Sequence, residues 1–244
     1  MSRASPPSPQ FLTTHWSVVL AAQGDAATVA RVALETLCRS YWYPLYAYAR
    51  RMGQAPQDAE DLTQEFFAQL LEKDWLLAAA PEKGRFRTFL LVALKRFMAK
   101  EWQRASAQKR GGGRTHLSLD TTDAEQRYAG EPTEPWTAED IYERRWAMTL
   151  LNQALEQLRA EFAEAGKEAE FECLKHWLSA DRGGIPYAEL AVELGHSEGA
   201  ARVAVHRLRK RFRQLFREAI AATVAEGESV EEELRHLVAV LGRS

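Results

Sequence analysis

Apolar positions recur every three or four residues along most of this chain, and no stretch alternates with period two, so the pattern predicts helices and no strands. In FLTTHWSVVL, Thr14 is a candidate cap before Trp16, Val19 and Leu20. Residues 25–51 read as a helix with Val29, Val32, Ala33 and Leu37 inward. It leads into an aromatic cluster of Tyr41, Trp42, Tyr43, Tyr46 and Tyr48, with a kink expected at Pro44. After a break from Gly53 to Pro56, residues 58–73 place Leu62, Phe66 and Leu70, with Phe67 and Leu71, on one side. Pro81 and Gly84 mark 76–84 as a loop. Residues 84–104 then gather Phe86, Leu90, Ala93, Leu94 and Phe97 on one face of a further helix, opposite Lys95, Arg96, Trp102 and Gln103. Periodicity stops over 106–136, where three consecutive glycines and two prolines predict a flexible linker. It resumes with Ile141, Trp146, Leu150, Ala154 and Leu158, then with Phe171, Leu174 and Leu178, and ends in a helix over Val230 to Leu241. The expected architecture is all-α: an N-terminal extension (1–24), a helical domain (25–105), a flexible linker (106–137), a second helical domain (138–220) and an acidic extension (221–244).

The most telling local pattern runs from Tyr187 to Arg217. Leu190, Ala191 and Leu194 give a short helix one apolar face, and Gly195 stands where such a helix needs a left-handed closing residue. Ser197 is placed to cap the next helix, and Glu198 complements its positive end. Ala201, Val205, Leu208, Phe212 and Leu215 recur at steps of four, three, four and three, a single buried stripe. Residues 202–217 carry seven Lys/Arg and no acid. Two helices around a glycine turn, the second uniformly basic, are the sequence form of a helix-turn-helix that lays its second helix in a DNA major groove.

Charge changes the picture elsewhere too. The 244 residues carry a formal net charge of only −2, but the charges are segregated. Residues 85–114 hold nine Lys/Arg against Glu101, residues 56–75 hold six acids against Lys73, and residues 218–234 hold six acids and no base. Such blocks imply separate electrostatic partners. The acidic helix cannot face phosphates and reads as a docking surface for a basic protein; the basic helix carrying Trp102 suits single-stranded or melting DNA. The glutamates after Arg217 are expected to fold back on the basic helix of the second domain. Two cysteines, Cys38 and Cys173, are too few for a disulfide framework, and Cys173 with His176 supplies two of the four ligands a structural zinc needs, so no metal and no cofactor is expected. No apolar run reaches membrane-spanning length and no apolar leader opens the sequence, so a cytoplasmic protein is expected.

These motifs, in this order, resemble the extracytoplasmic-function (ECF) sigma factors of bacterial RNA polymerase, in the sigma-70 family. DAEDLTQEFF resembles their D-x-E-D-x-x-Q-E-x-F signature in region 2, RTFLLVALKRFMAKEWQRASAQKR the helix that follows it, and YAELAVELGHSEGAARVAVHRLRKRF the region 4 helix-turn-helix. The resemblance implies that Asp58, Asp61, Leu62, Gln64, Glu65 and Phe67 bind core polymerase at the β′ clamp, with the β subunit a further contact. It implies that loop 77–84 captures a flipped −10 base, that Lys95, Arg96, Lys100, Trp102 and Gln103 contact the −10 element, and that Ser197, Glu198, Arg202, His206, Arg207, Arg209 and Lys210 contact the −35 element. Val203-Ala204 stands where many members carry a Ser-Arg pair. The implied partners are core RNA polymerase and promoter DNA, with room for an anti-sigma factor, and no catalytic residue is implied. Two other readings remain at this point. A free-standing helix-turn-helix regulator would account for the C-terminal half alone. A nuclease would need Asp58, Asp61 and Glu65 to hold metal, but no phosphate cradle accompanies them.

Overall fold

The structure is a computed structural model that describes residues 16–24, 27–72, 75–107, 122–130, 136–181, 184–224 and 229–243. The expected N-terminal extension up to residue 15, with its Thr14 cap, and the linker residues 108–121 and 131–135 lie outside the described residues. The described chain is all-α, with ten α-helices, short 3-10 turns and no strand among the described residues.

The chain divides into two compact units. The N-terminal unit is built from residues 12–149 together with 222–244. It contains α1 (Trp16–Ala22), α2 (Ala27–Arg51), α3 (Pro56–Glu72), α4 (Phe86–Ala107), α5 (Thr122–Ala129), the start of α6 (Ala138–Glu164) and α10 (Val230–Leu241). The C-terminal unit takes residues 150–221: the rest of α6, then α7 (Glu168–Leu174), α8 (Tyr187–Leu194) and α9 (Glu198–Ala221). This differs from the boundaries expected from the sequence. Helix α5 lies inside the stretch read as linker, and residues 138–149 group with the first unit. The acidic extension also differs from its expected place: α10 packs in the N-terminal unit, where its Glu233 meets the buried Arg87.

In the N-terminal unit, α2 runs unbroken through Pro44. Its buried line steps by four residues through Ala33, Leu37, Tyr41, Leu45 and Ala49. Val32 lies one residue, about 100°, off that line and is exposed, as is Val29 in the opening turn, which corrects the expectation that both point inward. Tyr41, Tyr46 and Tyr48 are buried, so this part of the aromatic cluster is core. Helix α3 starts with Pro56, whose fixed φ and missing N–H suit a first helical position. It buries Ala59, Thr63, Phe66, Phe67 and Leu70, with the Thr63 hydroxyl satisfied by the Ala59 carbonyl at 2.7 Å. The loop before α4 is pinned from the turn after α1, because the Gln23 amide donates to the carbonyls of Leu76 (2.7 Å) and Ala79 (3.1 Å).

In the C-terminal unit the local reading of the turn holds in detail. Gly195 closes α8 in the left-handed region (φ 65°, ψ 32°), with His196 N–H on the Ala191 carbonyl and Gly195 N–H on that of Val192. Ser197 Oγ accepts from Ala200 N–H at 3.3 Å and caps α9. Ala201, Val205, Leu208 and Leu215 of the predicted stripe are buried and Phe212 is half-buried. A bidentate pair between Arg211 and Glu161 ties α9 to the end of α6, with Nε to Oε2 at 2.8 Å.

Candidate functional site

On α3, Asp58, Asp61, Leu62 and Glu65 fall at steps of three, one and three, so they share one helix face. Asp58 is exposed; Asp61, Leu62, Gln64 and Glu65 are half-buried. Gln64 donates to Glu60 on its own helix at 2.9 Å. Phe67 is apart from this set: it is 6% exposed and packs edge-on to Phe66 with ring centroids 5.7 Å apart, so it belongs to the protein's own core.

That face has a neighbour that the sequence pattern did not reveal. Ala124 of α5 is buried in a cluster with Tyr46, Ala49 and Ala59, and Leu62, Trp42, Tyr43 and Tyr128 pack against it. Glu125 fixes α5 in place. Its carboxylate accepts from Arg50 (Nε 2.9 Å, Nη2 2.7 Å) and from the Tyr46 hydroxyl (2.6 Å). The Arg50 hydrogen bonds hold the Glu125 carboxyl below its ordinary range, while burial pushes the Tyr46 phenol up. Arg50 also lies over the Tyr128 ring at 4.7 Å.

On α4, Arg96, Lys100 and Gln103 step by four and three along one exposed line, with Lys95 and Trp102 flanking it. Trp102 is 46% exposed, unusual for a ring of that size. Lys95 is occupied: its ammonium meets Glu139 at the start of α6 at 2.5 Å and lies over the Tyr48 ring. The Glu139 hydrogen bond pushes the Lys95 pKa up. The head of α4 carries what the sequence pattern alone did not single out. Arg87, 3% exposed, meets Glu233 of α10 at 2.5 Å and Glu143 of α6 at 3.0 Å, with its guanidinium 4.5 Å from the Trp146 ring centroid. Glu233, fully buried, also pairs with Arg85 at 2.8 Å. The Tyr142 hydroxyl donates to the Arg87 carbonyl at 2.8 Å. Burial alone pulls the Arg87 pKa down, but Glu143 and Glu233 outweigh it and leave it raised. Arg85 and Arg87 therefore hold the unit together.

On α9, His206, Arg207 and Lys210 are exposed. Arg202 is engaged with Glu198 at 2.5 Å and stacks 4.3 Å above the Tyr187 ring. Arg209 is held within the fold. Its Nε donates to the Trp177 carbonyl at 2.8 Å, and its Nη2 donates to the carbonyls of Trp177 and Ala180. It thus satisfies the open end of the 3-10 turn after α7. Arg209→Ala should therefore lower the stability of the C-terminal unit by about 1–3 kcal/mol, the cost of carbonyls left without a donor, read as a shifted chemical-denaturation midpoint. An unchanged midpoint would return Arg209 to the set available for a ligand.

Among the described residues no group of three His, Cys, Asp or Glu side chains could hold a metal ion, and no helix is long and apolar enough to cross a membrane. Cys38 and Cys173 are free thiols, and burial pushes that of Cys38 up to about 11.

The described chain is thus all-helical, with acidic side chains along one face of α3 and exposed basic side chains on α4 and α9. Residues 37–108, spanning α2 from Leu37 through α3 and α4, match the family model of sigma-70 region 2. No curated protein and no solved structure matches the chain.

Proposed function

We propose that this chain is a promoter-specificity subunit of bacterial RNA polymerase of the ECF type, acting in the cytoplasm without chemistry of its own. The observation that carries the reading is the region 2 match across α3 and α4, on whose exposed surfaces the acidic and the basic-aromatic residues lie. Asp58, Asp61, Leu62, Gln64 and Glu65 would engage the clamp. Arg96, Lys100, Trp102 and Gln103 would take the −10 strand, the cations tracking its backbone and the indole offering a stacking surface; Lys95 would join them on leaving Glu139. The left-handed Gly195 turn between α8 and α9 supports reading them as a helix-turn-helix, whose His206, Arg207, Lys210 and Arg202 would meet −35 DNA. The decisive experiment is reconstitution: the purified chain should co-elute with core polymerase and direct run-off transcription from defined start sites. A free-standing regulator would do neither.

Arg202→Ala should weaken binding to −35 duplex by about 1–3 kcal/mol, the worth of a bidentate base contact, measured by fluorescence anisotropy at fixed salt. In the free chain its guanidinium rests on Glu198 and Tyr187, so binding must first exchange those partners. Equal affinity of the variant would remove Arg202 from the readers.

A further inference from the structure

We propose that α5 is a built-in competitor for the polymerase-docking face of α3, covering part of that face in the free chain and leaving it when the clamp binds. This rests on the docking role argued above for Leu62 and its neighbours.

Two features carry it. The first is placement. The apolar residue of the docking set, Leu62, is half-buried, and the cluster it packs against includes the buried methyl of Ala124, with Tyr128 also packed there. Ala59 of α3 and Ala124 of α5 share that cluster, so a partner that reads this helix face through Leu62 approaches a cluster to which α5 contributes. The second is the weakness of the hold. Eight residues of helix are too few to persist in water alone, where roughly 12–15 are needed even for good helix formers. Helix α5 is therefore helical because it is docked. Its anchors include one small buried side chain (Ala124), the half-buried Tyr128, Arg127 over the Tyr43 ring at 5.7 Å, and the Glu125 carboxylate, which takes Arg50 and the Tyr46 hydroxyl and whose side chain is 39% exposed. Solvent screens a pair of that exposure. A segment held this way is ordered without a partner and displaceable by one that brings a larger interface. The apparent affinity for the partner is then reduced by the fraction of chains in which the face is covered.

The test uses the full chain and bacterial core polymerase. Amide hydrogen exchange across residues 122–129 should show protection in the free chain and its loss in the complex; protection that persists in the complex overturns the proposal. In parallel, Glu125→Ala removes the acceptor for Arg50 and Tyr46 and should bind core polymerase roughly three- to tenfold tighter than the parent, by the release of that masking. Equal or weaker binding by a variant with the parent's helical circular dichroism overturns it. A variant without that spectrum leaves the exchange measurement to decide. The parent's own binding is the reference: if the parent does not bind core polymerase, the proposed function fails, whereas a parent that binds with α5 still protected sinks only the masking.

Discussion

Glu233→Ala should destabilise the N-terminal unit by about 3–5 kcal/mol, because it takes from a buried guanidinium one of its two carboxylate partners. Arg87 is 3% exposed and Glu233 is fully buried, so water cannot take over for the missing carboxylate. Glu143 remains at 3.0 Å from Arg87, which sets the loss nearer the lower end, and Arg85 regains solvent on its exposed side. Arg87→Ala should cost a similar amount, and the double variant less than the sum of the two, since each single change takes from the other charge one of its two partners. Thermal unfolding followed by circular dichroism checks this. A chain of this length loses roughly 2–4 °C per kcal/mol, so a fall of about 10 °C is expected. An unshifted transition would show that α10 is not docked where the structure puts it. For the same reason, removing everything after Ile220 should disrupt the N-terminal unit, not liberate α9. The expectation that the acidic extension folds back on α9 is not met at Glu233, which pairs with Arg85 and Arg87; Glu218 is engaged within α9 by Gln214 and Arg211, and Glu226 and Glu228 lie outside the described residues.

Asp61→Arg should abolish measurable association with core polymerase at concentrations where the parent saturates, a loss of about 2–5 kcal/mol or roughly thirtyfold and more. The substitution places a cation in the middle of the acidic α3 face against a partner whose matching surface must be basic. Asp61 is half-buried on α3, with Gln57 at 3.4 Å on the same helix. The circular dichroism spectrum should match the parent's while size-exclusion co-elution is lost. A melted spectrum would make Asp61 structural; retained co-elution would move the docking surface off α3.

Features whose cause lies within one or two helical turns were legible in the sequence. The αL closure at Gly195, the Ser197 cap and the α9 stripe each depend on neighbours a few residues away, and each stands as the spacing implied. What escaped was pairing at long range. Arg209 reads as one more cation on a basic helix until Trp177 and Ala180, about thirty residues upstream, are seen to need its donors. Helix α5 reads as linker because nothing local stabilises eight polar-rich residues; Arg50 and Tyr46, more than seventy residues earlier, supply the reason. One signal was available and missed. Arg87 keeps step with the buried Leu91, Leu94 and Met98, and Glu233 keeps step with the buried Leu237 and Val240. A charged residue standing in an apolar stripe predicts a charged partner across the interface.

The discontinuous make-up of the N-terminal unit bears on how the chain is made. Residues 150–221 must leave the ribosome before Glu233 can reach Arg87, a closure across 146 positions. Contacts of such sequence separation form late and slowly. A nascent chain broken off within α9 would therefore display the acidic helix on an unfinished scaffold, exposed to proteases, and only translation past the last helix yields a protein able to persist.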